Sequence, residues 1–174
     1  MTQPEFSHLL RHDRTSDKPQ PLHLAADEAS RAALAKRFGL LSLDRLEADL
    51  KCWRDGQDLH MEGEMCATLT QACVVSGQPV AAQLKEPLIV RFARDAEKEG
   101  DEIELDADDC DTLPYDGLAA DAGEAVAQTL ALSLNPFPRA PNADVALKQA
   151  GVLSEEDAGA FGALAGLRDQ LARK

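Results

Sequence analysis

Aromatic residues make up only 4% of this 174-residue chain, with one Trp, one Tyr and five Phe. That scarcity excludes a nucleic-acid surface built from rows of stacking rings. Cations are also short: 18 Lys and Arg stand against 31 Asp and Glu, a formal net charge of −13. Such a balance excludes an extended basic footprint, because each bound phosphate must be neutralised by Lys or Arg. No apolar run approaches the roughly 18 residues needed to span a bilayer. Met1 to Glu5 has neither the basic nor the apolar segment of a secretory leader, so a cytoplasmic protein is expected. Missing too are a nucleophile elbow, a phosphate-binding loop, a dinucleotide fingerprint and the glycine and terminal Glu of a calcium loop. With no catalytic constellation, the expectation is a non-enzyme without cofactor, metal or small-molecule substrate, and without a membrane partner.

The charge is not spread evenly. Residues 95–111 hold ten acids against Lys98 alone, a net of −9, which leaves only −4 for the other 157 residues. A run of this kind reads as a solvated, flexible loop, or as an acidic arm docking on a basic partner. Asp101, Glu102, Glu104, Asp106, Asp108 and Asp109 would supply the docking charge.

The remaining chain, with 44% hydrophobic residues, is long enough for one domain with a real core. Residues 5–12 and 20–25 read as two strands or extended segments joined by a loop. Asp27 is an N-cap for a helix over 28–38, with Leu34 and Phe38 one turn apart and Gly39 to end it. Leu46, Ala48, Leu50 and Cys52 alternate with charged neighbours, which marks a strand. After the turn at Asp55-Gly56-Gln57, the alternation Met61, Gly63, Met65, Ala67, Leu69 marks a second, with Gly63 a bulge or a close backbone approach. A turn at Ser76-Gly77-Gln78-Pro79 leads to a third strand over 80–92. The fold class is therefore α+β: an antiparallel meander over 42–92, its edges protected by barrel-like closure or by covering helices. Asp121 and Glu124 resemble a capping box, and Val126, Leu130 and Leu134 form the stripe of the helix it opens. Asn135-Pro136-Phe137-Pro138 stops that helix, 140–153 reads as a loop or linker, and a C-terminal helix from Ser154 carries Phe161, Leu164, Leu167 and Leu171 on one face.

Four cysteines without a C-x-x-C pair do not nucleate a zinc site. Cys52 and Cys66 read as buried free thiols, and Cys73 sits just before a turn. His8, His12, His23 and His60 read as surface residues, and neither His23 nor His60 has a clear carboxylate companion.

Three segments carry a family resemblance. The hairpin over 71–80, with Gln71, Cys73, Ser76 and Pro79, resembles the signature turn of the YceD family, the large ribosomal RNA subunit accumulation proteins. Residues 130–139 (LALSLNPFPR) resemble its helix-then-proline segment, and 161–167 (FGALAGL) its closing F-x-x-L-x-x-L. Order and spacing agree over roughly 42–170, and the first 40 residues are most similar to alphaproteobacterial members. Many relatives have C-x-x-C at the hairpin, where this chain follows Cys73 with Ser76. The resemblance implies a bacterial factor in 23S ribosomal RNA accumulation and large-subunit assembly, with no enzyme activity.

Two modes of action are open. In the first, the chain contacts ribosomal RNA through a small patch of Lys85, Arg91 and Arg94 at one end of the meander and Arg139 after the helix, with Trp53 and Phe137 for stacking. Phe92 reads as core. In the second, it is an acidic module that holds a basic ribosomal protein during assembly.

Overall fold

A computed structural model describes residues 4–94 and 111–152. The expected C-terminal helix from Ser154, Cys110 and the acids from Asp101 to Asp109 lie outside the described residues.

The fold is α+β. Its strands are β1 (Leu9–Arg11), β2 (Gln20–Ala25), β3 (Ser42–Asp55), β4 (Asp58–Ala72), β5 (Pro79–Arg94), β6 (Asp111–Tyr115) and β7 (Ala119–Asp121); its described helices are α1 (Glu28–Arg37), α2 (Ala122–Ser133) and α3 (Ala143–Gln149). The chain divides into two compact units: residues 1–71 with 81–136, and residues 72–80 with 137–174.

In the first unit five strands line up as β2-β3-β4-β5-β6. β2 pairs antiparallel with β3 from Gln20↔Cys52 to Ala25↔Glu47, and β3 with β4 from Ser42↔Thr70 to Asp55↔Asp58. β5 lies beside β4 after a turn of six residues, far too short for a parallel crossover. The antiparallel meander over 42–92 is as expected. Beyond it, β6 runs parallel to β5, from Val90↔Asp111 to Arg94↔Tyr115, so Asp111 belongs to a strand and not to the acidic loop. Among the described residues the sheet is open, with β2 and β6 at its edges. Both edges are short and carry a proline, Pro21 and Pro114, which lacks the N–H an added strand would need.

Alternation puts Leu46, Ala48, Leu50 and Cys52 of β3, Leu59, Met61, Met65, Ala67 and Leu69 of β4, and Leu88, Val90 and Phe92 of β5 on one buried face. The helices complete that core with Leu34 of α1 and Val126 and Leu130 of α2. Burial raises the Cys52 thiol to about 11, whereas Cys66, on the opposite face, is only half-buried rather than in the core.

Local chemistry sets the helix ends. The Asp27 carboxylate accepts from the Ser30 N–H at 2.8 Å and opens α1. Gly39, at φ +66°, closes it: Leu40 N–H donates to Ala35 O and Gly39 N–H to Lys36 O, a paired stop that needs a left-handed residue. Asp121 opens α2 by accepting from Glu124 N–H, and also receives Ser7 Oγ at 2.6 Å and His8 N–H at 2.9 Å. Only half of the expected capping box forms, because Glu124 takes a forked pair of bonds from Arg37 at 2.7 and 2.8 Å. That fork holds the Glu124 carboxyl below its ordinary range. Leu134, expected on the α2 stripe, is the extended C-cap. A small second sheet, β1 with β7, fastens the N-terminal segment beside α2.

The second unit corrects the expected linker over 140–153. Ala, Leu, Lys and Gln are strong helix formers, and residues 143–149 form α3, with Gly151 at φ +81° just beyond its end. Ala143 of α3, Ala140 and Cys73 form a small apolar cluster with Val75 and Val80.

Candidate interaction surface

The outer face of the sheet is polar, and its concentration of chemistry lies at the end where β3 turns into β4. Asp55 and Asp58 are paired across that two-residue turn, with Gly56 at φ +58° within it. Arg91 donates to Asp58 Oδ2 through Nε at 2.8 Å and Nη2 at 2.7 Å. Arg94 donates to Gln57 Oε1 at 3.0 Å, and the Tyr115 hydroxyl donates to Gln57 O. The His12 ring adds a bond to Gly56 O at 3.1 Å. Two adjacent strands and the first loop therefore converge on one hairpin tip.

Trp53 stands on the same face. Register places it opposite His60, and the rings stack at 5.2 Å between centroids with 8° between planes. On its other flank, Arg54 N–H donates to Ser16 O at 2.8 Å, which lays the 16–17 segment along the edge of β3 away from β4. Arg54 Nε and Nη2 both donate to Asp17 Oδ1, at 2.8 and 2.6 Å. A polar cavity of about 540 Å³ lies here, lined by Asp17, Trp53, Arg54, Asp55 and Gly56.

The candidate residues are thus brought together only in part. Trp53, Arg91 and Arg94 share the sheet end. Lys85 sits six residues back from Arg91 along β5 and pairs with Glu64 at 2.9 Å. Phe137, 72% exposed, and Arg139, paired with Asp144 at 2.8 Å, belong to the second unit. Phe92 is core, as expected. Lys85, Arg91 and Arg139 are each paired with a carboxylate, and Arg94 donates to an uncharged amide oxygen, so three of the four candidate cations are charge-compensated. His23, read as lacking a carboxylate, has one in Asp49, directly opposite in register and 2.7 Å away. That pairing spans two strands, and so does the Trp53–His60 stack; neither is visible without the register. Among the described residues no group of three or more His, Cys, Asp or Glu is placed to hold a metal. None of their helices is long and apolar enough to cross a membrane.

The signature hairpin organises the second unit. Cys73 N–H donates to Gln78 O at 2.8 Å, and Gly77 N–H to Cys73 O at 2.9 Å. Val74 N–H donates to Pro138 O and Ala140 N–H to Cys73 Sγ at 3.2 Å, so the proline segment is stitched to the hairpin. Gln71, in the first unit, donates to Asn135 O, and Pro79 begins β5. The Ser76 hydroxyl, then the Ala140 N–H, hold the Cys73 thiol down at about 6, against the opposing effect of burial. A thiol depressed in the folded state contributes stability that is full above the ordinary value near 9 and is lost as pH falls through about 6. Cys73→Ala should therefore cost more stability at about pH 8.5 than at about pH 5.5. Unfolding midpoints at the two pH values check this, and an equal cost at both would contradict it. Ser76, three residues after Cys73, is thus a hydrogen-bond donor to its sulfur.

No family model, curated protein or solved structure matches the chain.

Proposed function

We propose that the chain is a non-enzymatic factor supporting 23S ribosomal RNA accumulation and large ribosomal subunit assembly, and that it acts by holding a basic ribosomal protein. The assembly role rests on the resemblance to the YceD family carried by the hairpin and the proline segment. The mode of action rests on one observation: Lys85, Arg91, Arg94 and Arg139 are each engaged by a carboxylate or an amide. A phosphate reaching them must first displace those partners, whereas the net charge of −13 attracts a basic protein directly.

A second reading, direct contact with ribosomal RNA, is favoured by the convergence of Trp53, Arg91 and Arg94 on one sheet end, which would give a ring and two forked donors to a single-stranded segment. Neutralising the acids of 95–110 by Asp→Asn and Glu→Gln changes distinguish the two. Binding to a basic ribosomal protein should weaken on the order of tenfold at low salt and lose part of its salt dependence, while RNA binding stays equal or improves. Binding measured at two salt concentrations reads this out. Unchanged affinity for both partners would remove any role for that run.

A further inference from the structure

We propose that Trp53, backed by His60 and flanked by Asp17 and Asp55, is a receptor for a guanidinium side chain on a basic polypeptide segment. The proposal rests on the basic-partner reading above and gives it a contact point.

His60 covers one face of the Trp53 ring in a near-parallel stack, and Trp53 also lines the polar cavity. Among the described residues no cation is recorded over the Trp53 ring. A planar, weakly hydrated guanidinium fits such a ring face, which offers it the negative face of the ring's quadrupole. The carboxylates complete the fit. Asp17 Oδ1 accepts both bonds from Arg54, and among the described residues Oδ2 receives no hydrogen bond. Asp55 is exposed and forms no ion pair among the described residues.

The one cation lining the cavity, Arg54, is already committed: two of its nitrogens bind Asp17 and Nη1 reaches His12 O at 3.4 Å. Counting Asp17, Arg54 and Asp55, the lining carries a net charge of −1. A nucleotide could stack on the same ring, but its phosphate would meet Asp17 and Asp55 with no uncommitted cation. A guanidinium instead finds a ring, a carboxylate and a free carboxylate oxygen within one cavity.

Trp53 is the only tryptophan in the chain, so its fluorescence reports this site alone. The full-length protein is titrated with a short synthetic Arg–Gly repeat peptide carrying a fluorophore, and tryptophan emission and peptide anisotropy are followed together. The expected result is a saturable change in Trp53 emission that tracks anisotropy. Asp55→Asn should weaken binding about fivefold, and a Lys–Gly peptide of equal charge should bind several-fold more weakly than the Arg peptide. The Asp55 side chain is exposed and makes no hydrogen bond or ion pair among the described residues, so the variant should unfold at the parent's midpoint. Peptide binding with unchanged Trp53 emission and no effect of Asp55→Asn overturns this site while leaving the basic-partner reading standing. No peptide binding at all overturns both. A Trp53 response to guanosine monophosphate or a single-stranded oligonucleotide that matches or exceeds the peptide's assigns the ring to RNA and overturns the proposal.

Discussion

Gly63→Ala should destabilise the first unit by about 3 kcal/mol, near the upper end of what overpacking a close contact costs. Gly63 lies opposite Leu50 in the middle of the β3–β4 ladder. A Cβ built there would stand 2.1 Å from Asp49 O, 2.8 Å from Leu50 Cα and 3.0 Å from Asp49 C. All three neighbours are backbone of a central strand, so relief requires β3 itself to move. β3 cannot move freely, because it is held by β2 on one side and by β4 on the other. Gly63 also borders a hollow of about 440 Å³ on the outer face, lined in part by Pro21, His23, Lys51 and Ile89. Urea midpoints read through Trp53 fluorescence measure the effect. Gly56→Ala is the matched comparison: its positive φ costs about 1 kcal/mol, but nothing lies within 4 Å of its Cβ position. Equal losses at the two glycines would show that backbone conformation, and not the contact with β3, makes Gly63 necessary.

Leu34→Ala is the second large effect, expected at about 3 kcal/mol. α1 spans ten residues, too short to persist alone in water, and Leu34 is its only buried side chain. Leu34 is also fully enclosed within the main core. Truncation both opens a cavity and removes the apolar anchor of the helix. The Asp27 cap, the Gly39 stop and the Arg37–Glu124 fork remain, so α1 should still form but open more often than the sheet. Amide exchange in α1 should therefore accelerate more than exchange in β3 and β4. A uniform acceleration would mean that α1 and the sheet open as one unit. Leu34→Met keeps the volume and should cost under about 1.5 kcal/mol.

Sequence pattern located what depends on neighbours along the chain. The β2 span, the Asp27 cap, the Gly39 stop and the alternation of β3 and β4 were all legible, because each is a local relation between residue type and backbone. Gly63 was legible as an anomaly in a strand, though only β3 shows which backbone approaches it. The parallel edge strand β6 was not legible, since five residues beginning in an acidic run carry no local strand signal. β7, three residues long, is too short to produce a period, whereas β1 falls within the strand or extended segment read over 5–12. The site suffers from the same limit. Trp53, Arg91 and Arg94 were singled out by residue type, but their partners, His60, Asp58 and Gln57, come from other strands and turns. Pairing across strands decides whether a cation is free, and it leaves Arg91 in an ion pair. α3 was missed for a different reason: at seven residues it spans about two turns, too few for its helical period to stand out.

The clasp between the two ends of the first unit constrains how the protein is made. Ser7 bonds Asp121 across 114 residues, and Leu9 to Arg11 pair with Ala119 to Asp121. At a synthesis rate of roughly 5–20 residues per second, the N-terminal segment waits on the order of ten seconds for its partner to be translated. During that interval Leu10, destined for burial, has no β7 to pair with. Among the described strands, β1 is the one whose partner is made last.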